Sequence, residues 1–137
     1  MIVLDTNVLS ELMKAQPSPG VRDWLLQLGD VAISTTTISI FEIEYGLARL
    51  PSGRRRDDLT ERFNTLTSAM SILPLDDMAA RAAGRLRASR DASGLTSQPS
   101  DMMIGGIAFV TSAMLATRNI RDFEGLPLRL VDPWRSH

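Results

Sequence analysis

Short, uniformly apolar segments, each followed at once by polar residues, constrain this chain more than any other feature. Ile2-Val3-Leu4, Val31-Ala32-Ile33 and Ala113 to Ala116 are of this kind. A strand with one wet face alternates apolar and polar residues, whereas a strand covered on both faces does not. Such strands separated by helical patterns predict an α/β fold: a short, mostly parallel central sheet with helices on both faces. Leu128 to Val131 reads as a last strand, and Ser71 to Leu75 as a strand or connector. The helix starts are marked by caps. Ser18-Pro19 opens a helix to about Leu28, and Thr36 or Thr37 opens one to about Leu50, closed by Pro51-Ser52-Gly53. Asp76 caps a helix whose Met78, Ala79, Ala82, Ala83 and Leu86 share a face, and Pro99 opens an apolar helix. Residues 7–14 and 54–70 also read as helical. With 137 residues, 44% of them hydrophobic, residues 1–137 make one domain around one core.

The residue types limit the chemistry. There is no cysteine, which excludes disulfides, thiolate metal sites and thiol nucleophiles, and the single histidine is the terminal His137. Carboxylates, hydroxyls, amides and arginines remain. The net charge of −1, from 15 basic and 16 acidic residues, shows no broad cationic field. The first residues lack a basic leader, and the longest uncharged run, Met102 to Thr117, is broken by Gly105-Gly106 and Thr111-Ser112. A membrane span needs about 20 apolar residues. A soluble, cytoplasmic protein with no membrane partner is expected.

In parallel α/β sheets, ligands bind beyond the carboxyl ends of the strands. The first strand delivers Asp5, Thr6 and Asn7 there, and Ala113 to Ala116 delivers Thr117, Arg118, Asn119 and then Asp122. Asp5 alone could equally cap a helix, and Asp122 alone could be a surface acid in a turn. In the 37–50 helix, Ile40, Ile43, Leu47 and Leu50 form one apolar stripe, and Ile38, Phe41, Tyr45 and Ala48 a second, which predicts a helix packed on two sides. Glu42 and Glu44 lie between the stripes on opposite sides, because two positions turn a helix by about 200°. Glu42 shares its strip with Ser39 and Gly46 and is the better site candidate; Glu44 reads as a solvated edge residue. Asp101 sits in the first turn of the helix after Pro99, where an acid suits the positive helix end. The rest of that helix is apolar nearly all round, and its Gly105-Gly106 pair, costing roughly 1 kcal/mol per glycine against alanine, points to tight packing. Arg85, Arg87 and Arg90 read as solvated, and Arg54-Arg55-Arg56 as either a solvated helix start or a contact for RNA or a partner.

Taken together, Leu4-Asp5-Thr6-Asn7, Glu42 with Gly46, Asp101 before Ile104, and Thr117-Arg118-Asn119-Ile120-Arg121-Asp122-Phe123 resemble a PIN domain, and more closely the VapC toxins of bacterial toxin–antitoxin pairs, FitB-like branch. The resemblance covers essentially the whole chain, through Asp132-Pro133-Trp134. It implies a PIN-like three-layer sandwich and a Mg²⁺- or Mn²⁺-dependent ribonuclease. By residue, it implies Asp5, Glu42 and Asp101 as core acids and metal ligands, and Asp122 as a more variable fourth. Thr6, Asn7, Thr117 and Asn119 match the supporting polar positions. Glycines stand at 105 and 106 where the family commonly has alanines, and Phe109 to Ser112 is more apolar than usual, a candidate partner contact.

Carboxylates suit hard divalent cations. RNA contact also needs cations, for which Arg118, Arg54, Arg55 and Arg56 are the candidates. Setting the four site acids aside moves the net charge from −1 to +3. The resemblance further implies a small DNA-binding antitoxin as cognate partner, a homodimer and a toxin–antitoxin hetero-oligomer. Trp24, Leu25, Leu28 and the stripes of the 37–50 helix could serve such contacts, although ordinary core packing explains most of them. Two other readings compete. One is a Mg²⁺-dependent phosphatase or phosphotransferase of another α/β fold, weakened because Asn7 stands where a dehalogenase-type phosphatase has a second aspartate. The other is a non-catalytic binding protein whose acids are caps and surface charges.

Overall fold

The computed structural model describes residues 1–135, so His137 lies outside the described residues. The chain runs β1 (Ile2–Leu4), α1 (Thr6–Leu12), α2 (Pro19–Gln27), β2 (Ile33–Thr36), α3 (Thr37–Ala48), α4 (Arg54–Ser68), β3 (Ser71–Leu73), α5 (Asp77–Ala92), α6 (Pro99–Val110), β4 (Met114–Ala116), a 3₁₀ turn (Ile120–Phe123) and β5 (Leu130–Val131). Every strand pairing is parallel, and the order is β3-β2-β1-β4-β5. The chain builds outward from β1 through β2 to β3, then crosses to the other side of β1 for β4 and β5. The reversal falls between β1 and β4, where a crevice opens at the strand ends.

Alternation along β1 divides the core. Val3 and Leu115 face Leu86, Met102, Ile104, Ala108 and Phe123, contributed largely by α5 and α6. Ile2, Leu4 and Ala116 face Val8 and Trp24, with Leu12, Leu25 and Leu28 packed alongside. A third cluster joins α1, α3 and α4 through Leu9, Met13, Ile43, Leu47 and Phe63. The two layers on opposite faces of the sheet give the three-layer sandwich. Trp24, Leu25 and Leu28 are thus packing residues.

Four local expectations need correction. The second strand starts at Ile33, not Val31, which is exposed; the buried strand is instead Ser34-Thr35-Thr36. β-Branched threonine suits a strand, and its hydroxyl is satisfied here: Thr35 donates to the Leu4 carbonyl at 3.0 Å. The second stripe of α3 is covered only at its first turn, where Ile38 packs against the cluster of Val3 and Met102; Phe41 and Tyr45 are 68% and 58% exposed, while the stripe toward Leu9 and Phe63 is packed. Met78 is exposed, at the first turn of α5, while Ala79, Ala82, Ala83 and Leu86 are buried as expected. Arg90 is buried, because it continues the stripe of Leu86 four residues on. It donates to the carbonyls of Thr96 at 2.8 Å and Glu124 at 2.7 Å, tying the end of α5 to the segments beside α6 and the 3₁₀ turn.

The small residues of α5 and α6 explain the glycines at 105 and 106. A Cβ on Gly106 would stand 2.5 Å from the Ala79 carbonyl oxygen and 2.8 Å from the Ala83 nitrogen. The backbones of the two helices therefore meet there. Gly105 has ordinary contacts, the nearest being Leu128 Cδ1 at 3.4 Å.

Candidate functional site

Asp5 follows β1 directly and stands at the end of the strand beside the crevice. It caps α1, its Oδ1 accepting from the Thr6 amide at 2.8 Å. Its Oδ2 accepts from the Thr117 hydroxyl at 2.7 Å, across the crevice between β1 and β4. The register makes this meeting unavoidable: Leu4 pairs with Ala116, so the next residue of each strand stands side by side. Thr117 is fully buried and accepts in turn from the Asn119 amide at 3.1 Å. Asn7 completes the frame, accepting from the Arg118 amide at 3.2 Å and pointing its Nδ2 toward Asp5 Oδ2 at 3.4 Å.

Glu42 arrives from α3. Its Oε1 accepts from the Thr6 hydroxyl at 2.6 Å, and that hydroxyl oxygen lies 2.9 Å from the Ser39 hydroxyl. The narrow strip of Ser39 and Glu42 thus faces α1, held by the Thr36 cap, whose hydroxyl accepts from the Ser39 amide at 3.1 Å. Glu44, on the other side of the helix, is exposed. Asp101 lies in the first turn of α6, as expected, and Asp122 in the 3₁₀ turn after β4. Thr6, Asn7, Thr117 and Asn119 all belong to the network around Asp5.

Asp5 and Asp101 feel the charges of the acids around them. Burial pushes the pKa of Asp5 up; hydrogen bonds from Thr117 and Thr6 pull it back, and the charges of Glu42 and Asp122 push it up again. Asp101 is pushed up to about 6, by burial first and then by Asp5, Asp122 and Glu42, with Arg90 opposing. Like charges gathered in a partly dry crevice hold protons more tightly. Among the described residues no three carboxylates already close into a ready metal-binding set. An all-oxygen, net-negative donor set around an anchored Asp5 nevertheless fits a hard divalent cation, and it fits no soft one.

Asp5, Glu42 and Asp101 open onto solvent through a cleft of about 440 Å³ lined also by Thr6, Asn7, Arg118 and Trp134, among others, whereas Asp122 lines the adjoining cleft. Two residues of this cleft escaped the sequence reading. Glu11 is covered by the long side chains beside it rather than sunk in the core, and its carboxylate accepts from Lys14 Nζ and the Ser18 amide, both at 2.9 Å. Burial raises its pKa, but those hydrogen bonds and the charges of Lys14 and Arg118 outweigh it and hold the group low. The Glu11-to-Lys14 spacing was the available signal. Lys14 also lines a second groove, of about 420 Å³, with Arg54, Arg55 and Arg62. Arg54 and Arg55 therefore lie one lysine away from the acids, while Arg56 turns back to the Leu50 carbonyl at 3.3 Å. Arg118 stands at the acid cleft itself, over the Trp134 ring.

Comparison with known proteins agrees with this geometry. The family model described as PIN domain matches residues 2–127. The VapC ribonuclease Y4jK of Sinorhizobium fredii is 35% identical, over 98% of this chain and 98% of its own. Toxin FitB of Neisseria gonorrhoeae is 32% identical, over 98% and 99%. Among solved structures, FitAB bound to an IR36 DNA fragment superposes with a TM-score of 0.89 at 30% identity, covering 100% of this chain and 98% of that one. Because the family model spans both strands of the crevice and every acid around it, and the relatives align from end to end, the chain belongs to the PIN-domain family.

Proposed function

We propose that this protein is a VapC-type ribonuclease, the toxin of a toxin–antitoxin pair, which hydrolyses RNA phosphodiesters with Mg²⁺ or Mn²⁺ at Asp5, Glu42, Asp101 and Asp122. The observation that carries this is the placing of Asp5 and Asp101 in one cleft at the crevice between β1 and β4, where burial and the charges of Glu42 and Asp122 raise the pKa of both. Asp5 and Asp101 would be the principal metal ligands, Glu42 a ligand directly or through water, and Asp122 the support for a second ion. The chemistry that a divalent cation would supply, if held by these residues, is polarisation of a phosphodiester and a lowered pKa for bound water.

The chain's own groups do the rest. Thr117 and the Thr6 amide fix both oxygens of Asp5, so this carboxylate is oriented before substrate arrives. Thr6 orients Glu42 as the group that directs or deprotonates the attacking water. Arg118 and Lys14, at the rim of the cleft, attract the RNA backbone that the acids repel. Arg54 and Arg55 extend that attraction along the next groove. The exposed Phe41 and Tyr45 of α3 are the surface offered to an antitoxin or a second copy, in line with the resemblance to VapC toxins and with FitB being found in a DNA-bound FitAB complex. The proposed place of action is the cytoplasm, where the RNA is; among the described residues no helix is long and apolar enough to cross a membrane.

The test is cleavage of cellular RNA by purified protein with Mg²⁺ or Mn²⁺, with the new ends mapped. Asp5→Asn and Asp101→Asn are expected to fold and to lose metal-dependent cleavage. Full activity in either variant removes the assignment. Turnover of small phosphate esters without RNA cleavage would favour the phosphatase reading. Absence of Mn²⁺ binding dependent on Asp5 and Asp101 would favour the non-catalytic one.

A further inference from the structure

Beside the acid cleft lies another, of about 690 Å³. It is lined by Arg118, Arg121, Asp122 and Trp134, among others, and shares Arg118, Asn119 and Trp134 with the acid cleft. The partition between the two is thus a guanidinium resting on an indole: Arg118 Cζ lies 4.8 Å from the Trp134 ring centroid. Several carboxylates border the same space, Asp122, Glu124 and Asp132. Yet among the described residues the ion pairs are Lys14–Glu11, Arg81–Asp77 and Arg135–Asp132, and Arg118 is in none of them. Trp134 is itself fixed. Its ring packs on the core beside Trp24 and Val131, and its amide is held by Asp132 Oδ1 at 2.9 Å. The backbone of Arg118 is held by Asn7. An exposed guanidinium, anchored from below by an aromatic ring and open above to a cleft beside the acids, has the features of a stacking platform for an unpaired base.

We propose that Arg118 and Trp134 form a nucleotide subsite next to the cleavage site. The base of a single-stranded nucleotide stacks on the Arg118 guanidinium, giving a base–guanidinium–indole stack, and Arg121 faces the adjoining phosphate. This rests on the ribonuclease reading and deepens it, because it selects single-stranded over duplex RNA: a paired base has no free face to offer.

The test is fluorescence-anisotropy binding of a fluorescein-labelled single-stranded RNA that the protein cleaves, in EDTA at low ionic strength. It is compared with the same RNA made abasic at each position around the cleavage point. Wild type is set beside Arg118→Lys, which keeps the charge but loses the plane on an exposed side chain, and Trp134→Leu. An abasic nucleotide at one position, and Arg118→Lys, are each expected to weaken binding by about fivefold or more, the loss typical of one stacked base. In Arg118→Lys the abasic penalty is expected to disappear. Trp134→Leu should act in the same way; if it fails to fold, the lysine variant and the abasic series carry the test. Equal binding with and without the base, or an abasic penalty that survives in Arg118→Lys, overturns the stack and leaves the ribonuclease reading intact. Failure of the wild type to bind any RNA overturns both.

Discussion

Asp101→Asn is expected to make the protein more stable while removing its activity. Asp101 carries a pKa raised from 3.8 to about 6, chiefly by burial and then by three neighbouring acids. In the unfolded chain the carboxyl ionises near its ordinary value. Between those two values the folded state binds more protons than the unfolded one, so stability falls as pH rises through the window from 3.8 to about 6. At neutral pH the full cost is present. At 1.36 kcal/mol for each pH unit it comes to ~3 kcal/mol, an upper bound that solvent screening of a half-buried group cuts to about 1–2 kcal/mol. Asparagine keeps the shape and cannot ionise. Urea unfolding of wild type and variant in EDTA, at several values from pH 4 to pH 8, measures this directly. The expected outcome is a variant more stable by that amount above pH 7, with the difference shrinking toward pH 4. Added Mn²⁺ should then stabilise the wild type and not the variant, since a ligand that binds only the folded state raises its stability. A variant less stable than wild type at neutral pH, or a difference independent of pH, would refute the claim that the acids are held together against their own repulsion.

Three further outcomes follow from the packing and one from the surface charge. Gly106→Ala should destabilise by about 1–3 kcal/mol in thermal or urea unfolding, because the new methyl meets the α5 backbone, and it should lower cleavage by shifting the helix that carries Asp101. Gly105→Ala, with only ordinary contacts, should be neutral or gain up to about 1 kcal/mol of helix propensity in the same unfolding assay. Arg90→Met should cost about 3 kcal/mol, since two charged hydrogen bonds to carbonyls disappear, and should move the pH window of Asp101 upward because an opposing cation is gone. Arg54→Glu with Arg55→Glu should weaken RNA binding and flatten its salt dependence, by about 0.7 in the log–log slope for each phosphate that is no longer neutralised; unchanged salt dependence would return both arginines to the solvated surface.

Much of the site was legible in the sequence because strand ends are legible. Asp5 and Thr117 each follow a short apolar run, and in a parallel sheet such positions converge. Asp101 was marked by Pro99 and the apolar helix behind it, and Glu42 by its small neighbours. The failures have a common cause. Val31 and Ala32 looked more strand-like than Ser34 to Thr36, because local apolarity does not report which hydroxyls find partners. Arg90 reads as solvated by its charge, but its place in the Leu86 stripe buries it, and two carbonyls there accept from its guanidinium. Phe41 and Tyr45 looked buried because apolarity alone does not report whether another element of the chain lies over them. Glu11 and Trp134 gave weak local signals, and their importance comes from lying against Arg118 and the cleft.

The division between the two levels is one of range. Element type, most caps and the absence of cysteine chemistry depend on neighbouring residues and on composition, so the amino-acid order carries most of them, although it misplaces β2 and marks Ser18 as a cap whose side chain makes no cap bond. Which hydroxyl orients which acid does not. Thr6 reaches Glu42 across 36 residues, and Thr117 reaches Asp5 across 112. The first depends on α3 packing against α1, and the second on β4 crossing back to lie beside β1, arrangements set by the packing of both sheet faces at once rather than by any single segment. The acids were written in the chain; their shared field, with Asp101 pushed to about 6, exists only once the strands are side by side.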